Sequence, residues 1–346
     1  MNVKKLSFVV FMMLLLAVAQ ACSSGGSEQS SSDSPGEEVD TEAANDGEKD
    51  LQVDGYPERQ IEIIVGFGAG GGSDNFARAI AKELTDILGV NINVVNMPGA
   101  AGLNAGDYVA RQPADGYTIW SMTSNYPINV AAGRTPHDLN TFQAVGRVQH
   151  DTMAIQVLSD RFEDIDDFIQ QAKERPGEIT VGGTGSAGFD EIIVTQFAEA
   201  VGIELNYISF EGAGEMHAAL LGGHIDAMAE EPGPSIAHLE EGTMKMLIAF
   251  ADNKLEGFED VPISTELGID VTDGQNRGFV VHADTPPEIV KVLEAALEEA
   301  KERPDYKEYE KANYLHLRDG WLNSADFQQE LETLINTYSE ILERLQ

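Results

Sequence analysis

Cysteine is almost missing from this chain of 346 residues, because Cys22 is the only one. A single thiol excludes an internal disulfide framework and the zinc motifs that need paired cysteines. Basic residues are also scarce: 22 Lys and Arg stand against 59 Asp and Glu, which gives a formal net charge of −37 at pH 7. Such a surface repels phosphate backbones, so nucleic-acid partners are excluded.

Long apolar runs are limited to the N-terminus, where residues 6–19 carry no charge and follow two lysines. The run is too short to span a bilayer comfortably and ends in Ala19-Gln20-Ala21-Cys22. A basic start, an apolar middle and small residues at the cut indicate a signal peptide over residues 1–21. Its end resembles a bacterial lipoprotein signal, which implies a lipidated Cys22 that anchors the protein outside the cytoplasm; the alternative is an ordinary secreted protein with a stray thiol.

Residues 22–55 contain Ser, Gly and acids and almost nothing that a core could bury. This composition predicts a disordered acidic tether between Cys22 and a folded part that begins near Tyr56. Exposure to a saline or alkaline medium would account for the acidic surface, since salt screens its self-repulsion.

From Arg59 onward, Val- and Ile-rich runs alternate with helical patterns, beginning with a strand, a helix and another strand. This order predicts an α/β fold in which helices cover parallel sheets. Apolar residues at spacing four, from Phe76 to Leu88, predict a first helix that ends at Gly89. We further predict one strand over residues 147–159, a strand over 278–281, and a long C-terminal helix capped by Ser324.

The first strand and helix are joined by an unusual run, "IEIIVGFGAGGGSDNFARAIAKEL", residues 61–84. Glycine-rich backbone at a helix N-terminus offers free N–H groups to an anion. The spacing of Gly66, Gly68 and Gly71 also fits a dinucleotide-binding fingerprint, but the second strand ends in Asn96 rather than the acid that would hold a ribose. No Gly-Lys-Ser/Thr follows, which excludes a P-loop.

Six segments of the chain resemble the solute receptors of tripartite tricarboxylate transporters, the Bug or TctC-like family. They are "YPERQIEIIVGFGAGGGSDNFAR", "NMPGAAG", "ADGYTIW", "GGTGSAG", "FEGAGEMHAALLGGHIDAM" and "GFVVHADTPPEIVKVL", in the expected order. The resemblance implies a two-lobed periplasmic-binding-protein fold (Venus flytrap, type II), with a mixed or parallel sheet and flanking helices in each lobe. Residues 56–150 and 276–346 would form lobe 1, and residues 151–275 would form lobe 2.

The resemblance also implies that the lobes close on a small di- or tricarboxylate and deliver it to the membrane subunits of a transporter. Small polar residues at three strand ends are the expected contacts, because ligands of such sheets sit beside helix N-termini. With Phe67 as an apolar wall and Glu230 at a strand end, the predicted ligand-binding residues are Phe67, Gly70, Gly71, Gly72, Ser73, Asp74, Ser121, Thr123, Ser124, Asn125, Thr184, Gly185, Ser186, Ala187, Gly188 and Glu230. Asp74 is expected to cap the following helix rather than to touch the anion.

Two segments depart from the pattern of the family. Phe189-Asp190-Glu191 follows "GTGSAG", and Glu230-Glu231-Pro232 ends a strand of the second lobe. These acids disfavour a citrate-like trianion and leave room for a less charged or partly cationic ligand, such as an amino-dicarboxylate.

Enzyme functions and a surface interaction protein are the alternatives to a receptor. Ser186 lacks the glycine two residues earlier that a nucleophile elbow needs, since Thr184 stands there. His217 and His224, with Glu215 and Asp226 nearby, do not have the spacing of a zinc motif and are expected to be ordinary surface or capping residues. We therefore expect no catalytic task, no metal and no cofactor, and a monomer.

Overall fold

Strands and helices alternate through the described residues, Val53 and 55–344, of a computed structural model. These residues belong to one compact unit of the chain. The predicted signal peptide, Cys22 and nearly all of the tether lie outside them. No helix within this part of the chain is both long and apolar enough to cross a membrane.

The strands are β1 Ile61–Val65, β2 Ile92–Asn96, β3 Thr118–Thr123, β4 Phe142–His150, β5 Ala154–Leu158, β6 Thr180–Thr184, β7 Asn206–Phe210, β8 Ala227–Glu230, β9 Met244–Ala249 and β10 Asn276–His282. The α-helices are α1 Gly72–Leu88, α2 Leu103–Val109, α3 Asn125–Ala131, α4 Ile165–Glu174, α5 Phe189–Val201, α6 Ala213–Leu221, α7 Pro232–Glu240, α8 Pro287–Ala300, α9 Pro304–Ala312 and α10 Ser324–Arg344.

The strands form two five-stranded sheets with the same topology. The first has the order β2-β1-β3-β10-β4, and the second has the order β7-β6-β8-β5-β9. In each sheet one strand pairs in parallel with two others, as β1 does with β2 and β3, and another strand runs antiparallel to both of its neighbours. We call the parts built on these sheets the first and the second lobe, and this arrangement confirms the predicted two-lobed α/β fold.

The predicted strand over residues 147–159 is wrong, because two strands occupy that stretch. β4 ends at His150 in the first sheet, and β5 begins at Ala154 in the second. Residues 151–153 carry the chain from one lobe to the other. They are buried like the strands on either side, so hydrophobic pattern alone does not reveal the break.

The first helix follows its predicted periodicity. Phe76, Ile80 and Leu84 are buried, and Gly89 ends the helix in the left-handed conformation with φ of 68° while its N–H donates to the Thr85 carbonyl. The helix starts at Gly72, two residues before the expected Asp74. Gly71 of the loop is therefore the N-cap residue, and Gly72 begins the first turn of the helix.

The C-terminal helix α10 packs against both lobes. Phe327 and Leu331 join a core cluster of the first lobe, whereas Tyr338 and Ile341 join the large core cluster of the second. The helix begins at Ser324, but Asn323 caps it: the Asn323 Oδ1 accepts from the Asp326 N–H at 2.9 Å. The assignment of all residues 276–346 to lobe 1 stays a prediction.

Candidate functional site

A small cavity of about 30 Å³ lies between the two lobes, where β1, β6 and β8 end and β10 begins. That volume holds water but not a four-carbon acid. Its lining residues are Phe67, Gly68, Gly71, Gly72, Ser73, Thr184, Asp190, Ala213, Glu230, Glu231, Gln275 and Arg277. The lobes are therefore closed on each other, and a larger ligand requires them to separate.

Six of the predicted ligand-binding residues line this cavity: Phe67, Gly71, Gly72, Ser73, Thr184 and Glu230. Gly70 and Asp74 lie next to them in the chain, and the other eight predicted residues do not line the cavity. Among the lining residues outside the predicted set, Asp190 and Glu231 differ from the family pattern, which is the only signal that the sequence gives for them. Arg277 carries no signal, because it is a single arginine directly before the predicted strand over 278–281 and belongs to no motif. The ligand contacts of all sixteen residues stay predictions.

The glycine loop, residues 66–73, is shaped for close approach of backbone. A Cβ on Gly66 would lie 2.7 Å from the Gly102 Cα, which only glycine avoids. Across the cleft, the Gly68 N–H donates to the Glu211 carbonyl at 3.3 Å, and a Cβ on Gly71 would lie 3.2 Å from the Ala213 Cβ. Small residues on both sides let the two lobes meet here.

The start of α1 leaves backbone donors open. Gly71 is the N-cap residue, and no side chain caps the helix. Within residues 55–344, no group accepts a hydrogen bond from the amides of Gly71, Gly72 or Ser73. These N–H groups border the cavity at the positive end of the helix dipole, an environment that favours an anion.

Asp74 lies beside these amides but faces away from them. Its carboxylate accepts from the Gly70 N–H at 3.0 Å and from Asn96 Nδ2 at 2.9 Å, and it forms an ion pair with Arg78. Burial opposes ionisation, but these hydrogen bonds outweigh it, so the pKa of Asp74 is lowered. Asp74 thus braces the glycine loop instead of capping the first turn of α1.

In the corresponding loop of the second lobe, residues 184–188, the chain itself occupies the donors of Thr184, Gly185 and Ala187. The Thr184 N–H and hydroxyl donate to Asp190 Oδ2 at 2.7 and 2.8 Å, and the Ala187 N–H donates to the Glu191 carboxylate. The Gly185 N–H donates to the Phe210 carbonyl at 2.9 Å. Side chains of α5 therefore stand where a second ligand carboxylate was expected.

Arg277 ties the two lobes together beneath the cavity. Its Nη1 donates to Asp151 at 3.0 Å, its Nη2 to Glu231, and its Nε lies 3.4 Å from Ser73 Oγ. Ser73 belongs to the first lobe, Glu231 to the second, and Asp151 to the crossing between them. All three guanidinium nitrogens are engaged, so Arg277 is not free to clamp a ligand carboxylate.

Three carboxylates of the second lobe, Asp190, Glu230 and Glu231, line the cavity, and we call them the acidic wall. Each is at most 5% exposed. Burial, reinforced by the charge of Glu231, raises the pKa of Asp190 to about 7. Burial also raises the pKa of Glu230, although its contact with His217 opposes the rise.

His217 is not the surface residue that the sequence suggested. Its Nε2 contacts the Glu230 carboxylate, and its side chain is only 15% exposed. Burial lowers the pKa of His217, but the hydrogen bond and charge of Glu230 outweigh it, so the net shift is upward. Across the described residues, no group of three His, Cys, Asp or Glu side chains could hold a metal ion.

The predicted residues at the end of β3 hold the chain of the first lobe, and Asn125 also reaches the second lobe. Ser124 Oγ accepts from the Asn276 N–H at 2.9 Å, and Asn125 Oδ1 accepts from the Phe189 N–H of the second lobe at 2.9 Å. Thr123 Oγ1 accepts a hydrogen bond from Asn125 Nδ2 at 3.3 Å. Ser121 Oγ is buried and has no partner in the part of the chain that the structure describes.

Two alanines in the left-handed conformation, one from each lobe, lie at the same junction. Ala101 in the first lobe has φ of 50°, and Ala187 in the second has φ of 51°. A Cβ on Gly185 would lie 3.2 Å from the Ala101 Cβ, and Arg134 donates to the Ala187 carbonyl across the lobes. Such backbone costs energy for alanine and persists only where surrounding contacts hold it.

Comparison with known proteins places this chain in a family. Residues 76–343 match the model described as "Tripartite tricarboxylate transporter family receptor". Protein BugT of Bordetella pertussis is 30% identical over 259 residues, which cover 72% of this chain and 78% of BugT.

Solved structures agree with this match. A TctC solute binding protein from Polaromonas, without ligand, is 29% identical with a TM-score of 0.62, and the match covers 84% of this chain and 99% of that one. MatC from Rhodopseudomonas palustris, with bound malate, shares the fold at 22% identity and a TM-score of 0.76, covering 83% and 99%. A closed two-lobed fold with an amide-lined cleft and a family match over most of the chain lead to one conclusion: the protein belongs to the TctC family of tripartite tricarboxylate transporter receptors.

Proposed function

We propose that this protein is a solute receptor that binds a small organic carboxylate between its lobes and delivers it to the membrane subunits of a tripartite transporter. The observation that carries the proposal is the set of open amides at Gly71, Gly72 and Ser73, at a helix N-terminus inside the interlobe cavity. Hydrogen bonds to an ionised acceptor are the strong kind, so one carboxylate and a few amides suffice. The malate bound to MatC supports this class of ligand.

The place and partners of the receptor follow from the same function. Receptors of this family work outside the cytoplasm, and we propose that a lipid on Cys22 holds this one, as a monomer, at the membrane surface. The polar segment of residues 23–54 would then let the lobes reach the transporter. Closing of the lobes would present a defined surface to the membrane subunits, a population shift driven by the ligand's preference for the closed form.

We propose a binding role without catalysis. Ser186, the one nucleophile candidate from the sequence, is exposed and makes no hydrogen bond to a base within residues 55–344. A serine nucleophile requires such a base within hydrogen-bond reach.

Thermal denaturation with and without candidate ligands tests the proposal. The panel contains mono-, di- and tricarboxylates together with nucleotides, each at roughly a hundred times its expected dissociation constant, where binding adds about 2.7 kcal/mol of stability. We expect a rise in melting temperature with at least one acid and none with nucleotides.

A bulky residue at the meeting point of the lobes should abolish that rise. Ala213→Phe places a ring against Gly71 and prevents closure, whereas Ala218→Phe puts the same ring on the exposed side of α6. Loss of the ligand effect in the first variant and retention in the second supports cleft binding. Equal effects of both variants, or a response to nucleotides alone, would contradict it.

A further inference from the structure

The two sides of the cavity differ in charge. On the first lobe, the amides of Gly71, Gly72 and Ser73 favour an anion. On the second lobe, the acidic wall of Asp190, Glu230 and Glu231 faces the same space. A ligand that spans the cleft therefore meets donors at one end and carboxylates at the other.

The cations nearby do not neutralise this wall. Arg277 is shared between Glu231 and Asp151, and His217 pairs with Glu230. Asp190 has no cationic partner within the described residues; it only receives the hydrogen bonds of Thr184. Four buried carboxyl groups, with Asp151 included, thus face two cations, so the cations cannot balance the acids when all four are ionised.

An excess of buried negative charge is costly, and a dianionic ligand would add to it. A protonated amine on the ligand would instead compensate this negative charge, and its N–H groups would donate hydrogen bonds to the carboxylates. No described group of three acidic or histidine side chains is arranged to hold a metal, which favours an organic cation. On the second lobe, Asp190 and Glu191 already occupy the Thr184 and Ala187 donors, so fewer amides of that loop are open to a carboxylate.

We propose that the ligand is an amino acid or a related organic acid that carries a protonated amine. Its carboxylate would meet the amides of Gly71, Gly72 and Ser73, and its ammonium would lie among Asp190, Glu230 and Glu231. This inference rests on the proposed carboxylate-receptor function and narrows its ligand class.

Pairs of acids that differ only in the amine test the inference on the full-length protein. Isothermal titration compares succinate with aspartate, glutarate with glutamate, and propionate with β-alanine, in buffer containing EDTA. A charge-assisted hydrogen bond predicts about tenfold to a hundredfold tighter binding of the amine-bearing member in at least one pair. If no acid in the panel binds, the receptor function itself fails, and this inference fails with it. If succinate or glutarate binds as tightly as its amino partner or more tightly, the receptor function stands and the amine requirement is overturned.

Charge-removing variants locate the ammonium. Asp190→Asn and Glu230→Gln keep shape and remove one negative charge each, so the preference for the amine-bearing acid should shrink toward equal affinity. Glu215→Gln removes one charge from an exposed position on the same lobe, outside the cavity, and should leave the preference unchanged. An unchanged preference in both wall variants, or the same loss in the control, would contradict the proposed position.

Discussion

The glycine loop of the first lobe and the loop of residues 184–188 in the other lobe are similar in sequence but offer a ligand different chemistry. Each follows the strand that pairs in parallel with two neighbours, and each leads into a helix that begins without a side-chain cap. In the first lobe the amides of the helix start are open. In the second lobe, Asp190 and Glu191 occupy donors of the loop.

The difference between the two loops follows from where Asp74 and Asp190 point, and this depends on the partners of each acid. Asp74 is drawn away by Arg78 one turn later, together with Asn96 from β2. Asp190 has no such cation among the described residues, so it folds back onto Thr184 and faces the cavity. Glycine at a helix start is thus not enough to predict an anion site. A nearby carboxylate can accept hydrogen bonds from the backbone N–H groups there, and whether it does so depends on its own partners.

The largest expected effect comes from removing Arg277, whose ion pairs with Asp151 and Glu231 join the two lobes. Arg277→Met leaves Asp151 and Glu231 buried without a cation, which should lower the free energy of unfolding by about 3–5 kcal/mol. Both acids have side chains at most 6% exposed, so water cannot replace the arginine. Urea denaturation measures the loss.

Arg59→Met is the matched control, since Arg59 pairs with Asp115 at an exposed position, 61% and 39% accessible. Its effect should be no more than about 1 kcal/mol. A similar small loss in Arg277→Met would show that the buried network does not stabilise the closed protein.

The open amides of the first lobe can be removed one at a time. Ser73→Pro deletes one N–H in the first turn of α1, where proline is tolerated, and should weaken carboxylate binding about tenfold to a hundredfold. Ser73→Ala removes only the hydroxyl and should retain most of the affinity. Titration calorimetry with the tightest acid measures both variants. Equal losses would assign the effect to the hydroxyl and not to the amide.

The acidic wall predicts that stability falls as pH rises. Asp190 has a pKa of about 7 in the folded protein against 3.8 as its ordinary value, because it is buried and lies near the charges of Glu231 and Glu230, although the hydrogen bonds from Thr184 oppose the rise. Between these values the folded state holds a proton that the unfolded state has lost. The stabilisation is therefore complete below about pH 4 and is lost as pH rises through about 7.

Urea midpoints measured from pH 5.5 to 8.5 check this direction. The midpoint should decrease up to about pH 7 and level off above it, and Asp190→Asn should flatten the curve because asparagine does not titrate. His217 acts in the same direction, since its pKa is raised by Glu230 against the effect of burial. A midpoint that rises with pH would contradict the raised pKa of Asp190.

Much of the fold could be predicted from the sequence because its strands and helices carry clear periodicity. The passage from β1 into α1 and the glycine that ends α1 were both predicted correctly. The helices α3 and α7 were missed: both are short and begin directly after a strand, and neither is long enough to show an apolar stripe of helical spacing.

The candidate site was only partly predictable, for a different reason. Backbone donors at a helix start follow from local sequence, which is why Gly71, Gly72 and Ser73 could be selected. The meeting of Arg277 with Asp151 and Glu231 depends on how distant segments cross between the lobes. Local pattern cannot show which of many acids in a chain of net charge −37 will share one cavity.

The smallest expected effect concerns the strained alanines at the junction. The left-handed conformation of Ala187 costs roughly 1–2 kcal/mol, and Ala187→Gly removes this cost. Glycine in turn loses more backbone entropy on folding than alanine does, which costs about 0.5–1 kcal/mol. The net stabilisation should be about 1 kcal/mol or less, and Ala101→Gly should behave alike on the opposite lobe because its φ is nearly the same. Urea denaturation of both single variants measures these gains. A loss of stability in Ala187→Gly alone would mean that the Ala187 methyl group stabilises the junction by more than its backbone costs, and the two loops would then differ in packing as well as in charge.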